Sequence, residues 1–325
     1  MITSNRRRLL QAGAALIASR FIPAQAQTGN WPSRPIKCIV PYTPGGGSDI
    51  AGRLVTAAMS NQPGGPQFVI DNRPGAGGNI GCEVLAQSPP DGYNIGVITI
   101  ATHGVNPTLY PNLPYDPIKD FSPIALVNLQ PVVVAVRADS PIKNLADLLS
   151  RKGEELTFGS AGNGLSGHMA GELMKLRSGL KLLHVPYRGS SGAWTDLLGG
   201  RIDMVFDNIA VALPNAQAGK ARILGTSSRQ PVAAAKAPTI GSLVPDYVVD
   251  SWNALAGPAK MPPAIVQRLS ELFDGAIRQP TLRARYEELS MIPPDSTSPE
   301  FAATYIQSQI AMWAPVIKEA GIKVD

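Results

Sequence analysis

Two glycine-rich stretches carry the residues whose types and spacing point to chemistry, and that chemistry is anion binding. The first is Pro41-Tyr42-Thr43-Pro44-Gly45-Gly46-Gly47-Ser48-Asp49, which follows an apolar β-branched run and opens a helical pattern. Three consecutive glycines, Gly45, Gly46 and Gly47, exceed the needs of a turn; they admit positive φ and let a ligand approach the backbone. Free N–H groups and the positive end of the helix dipole then favour an anion, with Ser48 or Asp49 as the expected N-cap. The plainer reading is a tight turn with no ligand. The second stretch is Gly159-Ser160-Ala161-Gly162-Asn163-Gly164-Leu165-Ser166-Gly167-His168, again between a strand pattern and a helix pattern. Both lie at the carboxyl ends of strands, where ligands of α/β sheets bind. If two domains face each other, two helix N-termini converge on one cleft, a geometry that suits a carboxylate and can hold it without an arginine.

Gly162, Gly164 and Gly167 also spell G-x-G-x-x-G, a dinucleotide signature when a strand precedes it and a helix follows. That reading expects an acidic residue about 20 positions on for the ribose hydroxyls. The next strand ends instead at Pro186-Tyr187-Arg188. Arg188 suits a 2′-phosphate, which leaves an exported NADP-dependent oxidoreductase as the alternative. Other chemistry is thin. The histidines are His103, His168 and His184, with no H-E-x-x-H and no C-x-x-C. Gly164-Leu165-Ser166-Gly167-His168 misses the nucleophile elbow at its fifth residue, and the stretch ending at His168 lacks the P-loop lysine. Only His168 and His184 follow Ser166, too near for the Ser–acid–His order of an α/β hydrolase. His168, at a helix start, reads as a hydrogen-bonded structural residue. No catalytic set assembles, and neither a metal nor a cofactor is expected.

The N-terminus reads as a leader. Arg6, Arg7 and Arg8 precede an apolar stretch from Ala12 to Ala18, and Ala24-Gln25-Ala26 supplies an A-x-A site, so cleavage is expected after Ala26. The paired arginines favour the Tat route. A membrane anchor needs ~20 apolar residues, and Arg20 interrupts this run. Losing the four arginines of residues 1–26 takes the formal charge from +5 to +1. No basic stripe remains, which sets nucleic-acid binding aside. The mature chain fits two domains at ~150 residues each, and 44% apolar with 16% charged residues suits a globular protein. Cys38 and Cys82 are the two cysteines; an exported protein can oxidise them, while Cys38 within an apolar strand also reads as a buried small hydrophobe.

The elements that must position the loops alternate in type. Ile36–Pro41, Phe68–Asp71, Tyr93–Thr99 and Val132–Val136 read as strands, with helices at Ser48–Asn61 and Asn79–Gln87. Leu156–Ser160, Lys181–Val185, Met204–Phe206 and Ile223–Thr226 form a second set, with helices at His168–Ser178, Ser190–Gly199 and Val211–Ala218. Such an order implies an α/β fold with a mostly parallel sheet. Helices follow at Pro262–Arg278 and Pro299–Ala320. That tail needs a sheet to cover, so the chain is expected to cross into a second domain near Leu126–Val136 and to return near Val248–Ala256. Two crossings make a two-strand hinge, as in bilobal proteins that close on a ligand. The expected division is 27–128 plus 252–325 for domain 1 and 129–251 for domain 2.

These loops and the segments after them resemble the periplasmic solute receptors of tripartite tricarboxylate transporters, the Bug family. The matching segments include Trp31-Pro32-Ser33-Arg34-Pro35-Ile36, the first loop, Asn72-Arg73-Pro74-Gly75-Ala76-Gly77-Gly78 and His103-Gly104-Val105-Asn106-Pro107. They continue through Ser160–Met174, Val185-Pro186-Tyr187-Arg188-Gly189 and Asp196-Leu197-Leu198-Gly199-Gly200 to the run from Arg201 to Asn208. The resemblance implies a bilobal, type 2-like periplasmic-binding-protein fold that closes on an organic acid, often a di- or tricarboxylate. It implies delivery to membrane permease subunits, in a chain expected to be monomeric and periplasmic. It carries over Tyr42 and Gly45 to Asp49, Ser160 to Ser166 without Leu165, and the strand-end residues Thr102 and Asp207 as ligand-binding positions. The family often has phenylalanine at Tyr42 and small polar residues near Leu165, so the distal end of the ligand stays open. Asp207 has two readings, helix cap or ligand contact, and in the second an amine or hydroxyl beside the carboxylate is favoured. Tyr187 and Arg188 fit either cleft or surface, and Asn72–Gly78 reads as structural. A further reading has the liganded receptor report to a sensor kinase.

Overall fold

The computed structural model describes residues 31–323; the leader and its cleavage after Ala26 lie outside them. Apolar runs bounded by glycine or proline become strands. β1 (Ile36–Val40), β2 (Phe68–Asn72) and β3 (Asn94–Thr99) alternate with α1 (Gly47–Ser60) and α2 (Asn79–Ala86). β1 lies between β2 and β3 and runs parallel to both. A wide turn of π-helix, Ile100–Val105, and the short α3 (Asn106–Leu109) then lead away from the end of β3.

The spine of the molecule is β4 (Phe121–Arg137). Its first part pairs antiparallel with β9 (Asp250–Pro258), and its second part pairs antiparallel with β7 (Met204–Asn208) and β8 (Ala221–Thr226). Val132, Val134 and Val136 enter one core, while Val133 and Ala135 enter another. Alternate side chains of a strand face opposite sides, so the unbroken apolar run reflects burial on both faces.

The second half repeats the first. β5 (Glu155–Ser160) lies between β6 (Lys181–Pro186) and β7 and is parallel to both. Helices α5 (Ser166–Ser178), α6 (Ser190–Leu198) and α7 (Ile209–Gln217) follow β5, β6 and β7. The strand order is β2-β1-β3-β9-β4-β7-β5-β6, with β8 on β4. The mostly parallel sheet expected from the alternation therefore holds only on the two wings. At the centre β3–β9, β9–β4, β4–β7 and β4–β8 are all antiparallel. The reason lies in the path of the chain, which leaves the first half along β4 and returns along β9. Gln130 faces Ser251 and Pro131 faces Asp250 in that register, which sets the outward and return crossings side by side.

Three helices close the chain: α8 (Pro263–Ile277), α9 (Pro280–Glu288) and α10 (Pro299–Ala320). The stripe on α8 is buried at Ile265, Leu269, Leu272, Phe273, Ala276 and Ile277, and each buried Leu, Ile or Phe contributes about 1.5–3 kcal/mol relative to exposure. α10 packs on β4, on the π-helical turn and on α5, so it touches both halves. Its Glu319 pairs with Arg177 of α5 at 3.8 Å. Among the described residues no helix is long and apolar enough to cross a membrane.

Cys38 on β1 and Cys82 on α2 are both buried free thiols. Burial pushes each up to about 12, so neither is a nucleophile at neutral pH. We predict that a thiol reagent leaves the native protein unlabelled and labels two thiols after denaturation without reductant. A count of zero in the denatured chain would show a disulfide instead.

Candidate functional site

The two glycine loops share one local design. The N-cap of α1 is Gly46, and its side-chain-free end is braced from the third helical residue rather than capped. Asp49 turns back so that its Oδ2 accepts the N–H of Gly45 at 2.9 Å. Arg53 Nε donates to the same oxygen at 2.9 Å, and Asn72 Nδ2 donates to Oδ1 at 2.9 Å. Burial alone would raise the Asp49 carboxyl, but Arg53, the Gly45 amide and Asn72 hold it below the ordinary carboxylate range. Neither Ser48 nor Asp49 is the N-cap that the sequence suggested. In the second loop the N-cap of α5 is Leu165, again without a side-chain cap. Its third helical residue, His168, accepts the N–H of Gly164 on Nδ1 at 3.0 Å.

Both loops open onto one cleft of about 800 Å³. Five helices begin at its wall, with N-caps Gly46 (α1), Gly78 (α2), Leu165 (α5), Gly189 (α6) and Asn208 (α7). None of these five α-helices carries a side-chain cap, whereas the π-helical turn that starts at the same wall is capped by the Thr99 side chain. Helices that start elsewhere are treated differently. Asn144 caps α4 (Leu145–Ser150) and Ser298 caps α10, while α8 and α9 begin with prolines, whose missing N–H is no loss at that position. The amides of a first helical turn have no acceptor within the helix. At α2 the preceding turn Ala76–Gly78 takes the Asn79 N–H on the Ala76 carbonyl; at the other four no side chain caps these amides at the cleft wall.

Charged side chains are few. Arg188 is the one cation of the cleft wall among the described residues, and it is exposed. Asp207, at the end of β7, is the one acid of that wall among the described residues. Its Oδ2 accepts Trp194 Nε1 at 2.9 Å and its Oδ1 accepts the Asn208 amide at 2.8 Å. Burial raises its carboxyl, against the pull of Ser190, the Asn208 amide and Trp194. Asp207 therefore sits in the wall without capping α7.

Of the residues singled out in the sequence, Tyr42, Gly46, Gly47, Ser48, Ala161, Gly162, Asn163, Ser166 and Asp207 line the cleft. Asp49, Thr102, Ser160 and Gly164 are buried behind that surface, their polar groups committed to bracing it, and Gly45 is exposed to one side of it. Thr102 Oγ1 accepts the Thr99 amide at 3.0 Å. Ser160 Oγ shares a 2.7 Å hydrogen bond with His184 Nε2. The structure adds the stretch from Pro74 to Gly78, together with Thr43, Tyr110 and Tyr187–Ser190. The first of these was read as structural, although Gly75-Ala76-Gly77-Gly78 has the same strand–glycine–helix order as the two loops. Tyr110 has no local signal; it arrives through the fold.

The halves touch across the cleft. A Cβ built on Gly189 of the second half would lie 2.5 Å from Thr43 Oγ1 of the first. A Cβ on Gly164 would lie 2.8 Å from Leu109 Cδ2 and 3.1 Å from Asn106 Oδ1. G-x-G-x-x-G is thus partly absorbed by lobe contact, and its middle amide by His168.

Comparison with known proteins gives one answer. The model of the tripartite tricarboxylate transporter family receptors matches residues 51–322. Protein BugT of Bordetella pertussis is 31% identical over 98% of this chain and 99% of its own length. A structure of Rpa4515 of R. palustris with adipate aligns at TM-score 0.86 with 32% identity, covering 90% of this chain and 99% of that one. MatC from Rhodopseudomonas palustris with bound malate aligns at 0.82 with 30% identity, covering 88% and 100%. Nothing among these matches supports the oxidoreductase alternative.

The lobe contact makes a prediction. Gly189→Ala adds a methyl group against Thr43 at a backbone with φ of 115°, which strains this approach of the two halves. The variant should show a larger radius of gyration by small-angle scattering, partly reversed by adding Thr43→Ala. An unchanged radius in Gly189→Ala would show that this contact does not set closure.

Proposed function

Because this chain belongs to the tripartite tricarboxylate transporter family of receptors, we propose that its cleft captures a small organic acid and presents it to the membrane subunits of such a transporter. The observation that carries this reading is the convergence of five uncapped helix N-termini on a wall with one arginine. Unsatisfied amides at a helix start favour an anion without a fixed cation. One carboxylate of the ligand meets the backbone of Gly46, Gly47 and Ser48 from one side and that of Ala161, Gly162 and Asn163 from the other, with Ser166 beside them. Relatives solved with adipate and malate support an aliphatic dicarboxylate. Asp207 accepts a hydroxyl or amine beside the carboxylate, which fits a hydroxy or amino acid.

The receptor works as an exported, periplasmic monomer whose leader is removed after Ala26. Its lobes are 27–128 with 252–325, and 129–251, hinged where β4 and β9 cross. It holds the ligand and releases it unchanged, so no catalytic residue and no cofactor is assigned.

A thermal-shift screen tests the reading with adipate, malate, succinate, citrate, glutamate, nicotinate and NADP. An acid at 100 times its dissociation constant stabilises the fold by ~2.7 kcal/mol, which is a shift of a few degrees for domains of this size. A shift with one or more of the acids and none with NADP is the expected result. A shift with NADP alone would overturn it.

A further inference from the structure

We propose that His168 is the positioning residue of the second ligand loop, the counterpart of Asp49 in the first. Each is the third residue of its helix, and each draws the N–H of a preceding glycine onto its own side chain. The pairs are Asp49 with Gly45 and His168 with Gly164, both four residues apart and both with a glycine of positive φ, 83° and 74°. By holding that amide the brace fixes the loop and decides which N–H groups remain for a ligand. The inference rests on the reading that these loops grip a carboxylate.

The two braces differ in chemistry. Asp49 accepts as a carboxylate kept ionised by Arg53 and Asn72. His168 accepts on Nδ1, so that atom carries no proton and the neutral ring must carry its proton on Nε2. The ring is held in place by stacking. Its centroid lies 4.0 Å from that of His184 with planes 14° apart, and His184 stacks in turn on Phe158 at 4.8 Å. His184 Nε2 shares its hydrogen bond with Ser160 Oγ, which also meets the amide and the carbonyl of Gly162 at 3.3 and 3.2 Å. One imidazole therefore anchors the start of the loop and the other its end.

Protonation of Nδ1 would turn the acceptor into a donor facing a donor. The groups around it do little to offset that. From α5, Glu172 Oε1 lies 3.9 Å from His168 Nε2, but Lys175 Nζ already pairs with Glu172 at 2.5 Å. From β6 comes His184; Asp207 of β7 lies on the other face of the sheet, where its oxygens hold Trp194 and Asn208. Tyr247 gives its hydroxyl proton to the Ala170 carbonyl, and Glu319 of α10 pairs with Arg177. Burial, and next to it Lys175, holds the His168 imidazole down at about 4. A folded value below the unfolded one means that the unfolded chain takes the proton first. The contribution of the neutral brace is complete above about pH 6.5 and is lost as the pH falls toward 4.

The test uses the full chain, with His168→Asn and His168→Leu. Asparagine places Oδ1 close to the position of Nδ1, and leucine offers no acceptor. Long-range nitrogen–proton spectra at pH 7 should show His168 bare at Nδ1 and protonated at Nε2. The Gly164 amide should exchange slowly in the wild type and in His168→Asn, and at least about tenfold faster in His168→Leu, as expected for one lost hydrogen bond. Calorimetry with malate and with adipate should show His168→Leu weakened roughly tenfold and His168→Asn within about threefold of wild type. His168→Asn should also flatten the fall in melting temperature of the unliganded protein as the pH drops from 6.5 toward 4. A proton on Nδ1, a Gly164 amide that exchanges equally in all three proteins, or equal weakening of both variants would overturn the proposal. If His168→Leu does not fold, the tautomer and the wild-type exchange still decide. If neither acid binds the wild type, the functional reading is in question, while tautomer and exchange judge the brace on their own.

Discussion

The amides of a first helical turn have no carbonyl within the helix to receive them, and an amide left unpaired in a dry site costs about 1–3 kcal/mol. This chain places five such turns around one cleft and gives none of them a side-chain cap. Away from the cleft the same sequence supplies Asn144, Ser298 and first-turn prolines. Apart from the first amide of α2, which the Ala76 carbonyl receives, these donors are open to a partner from outside the chain. A carboxylate meets them with charge as well as lone pairs, each helix terminus adding about 0.3–1 kcal/mol. A wall built this way attracts an anion and lets it go again, since no fixed cation is buried against it.

The rest of the fold serves that convergence. β4 is buried on both faces and belongs to both halves, and β9 returns beside it. With the crossings adjacent, the strand ends of the two wings face each other, and the loops after β1 and β5 meet across the gap. α10 leans on both halves, and Gly189 lies close against Thr43 where they meet. The loops themselves are kept in shape from behind, by Asp49 in one and by His168 with Ser160 in the other. Residues that shape the site are thus distinct from residues that face it.

Much of this was legible in the sequence, for identifiable reasons. Strands such as β1, β5 and β6 are short apolar runs between glycines and prolines, and their ends fell within a residue or two of expectation. The glycine loops announced themselves by excess. Strand direction did not, because alternation reads the same either way; the antiparallel centre follows from the chain path alone. The first part of β4 was missed because Pro123, Asn128, Gln130 and Pro131 break its apolar pattern. α4 and α9 are short and carry no clear stripe. In the site, capping rules look to the residue before the helix, whereas the Asp49 brace comes from the third residue within it. Pro74 to Gly78 was set aside although it repeats the pattern of the two loops, and Tyr110 reaches the cleft only through tertiary packing.

The central claim is that backbone amides from both halves hold one carboxylate. A crystal structure of the protein with an organic acid that binds it tests this most directly. The account predicts a carboxylate within hydrogen-bonding reach, direct or through a single water, of amides in the stretch 46–48 and in the stretch 161–166 at once. An acid bound only through Arg188, or contacting one loop while the other stays turned away, would contradict it.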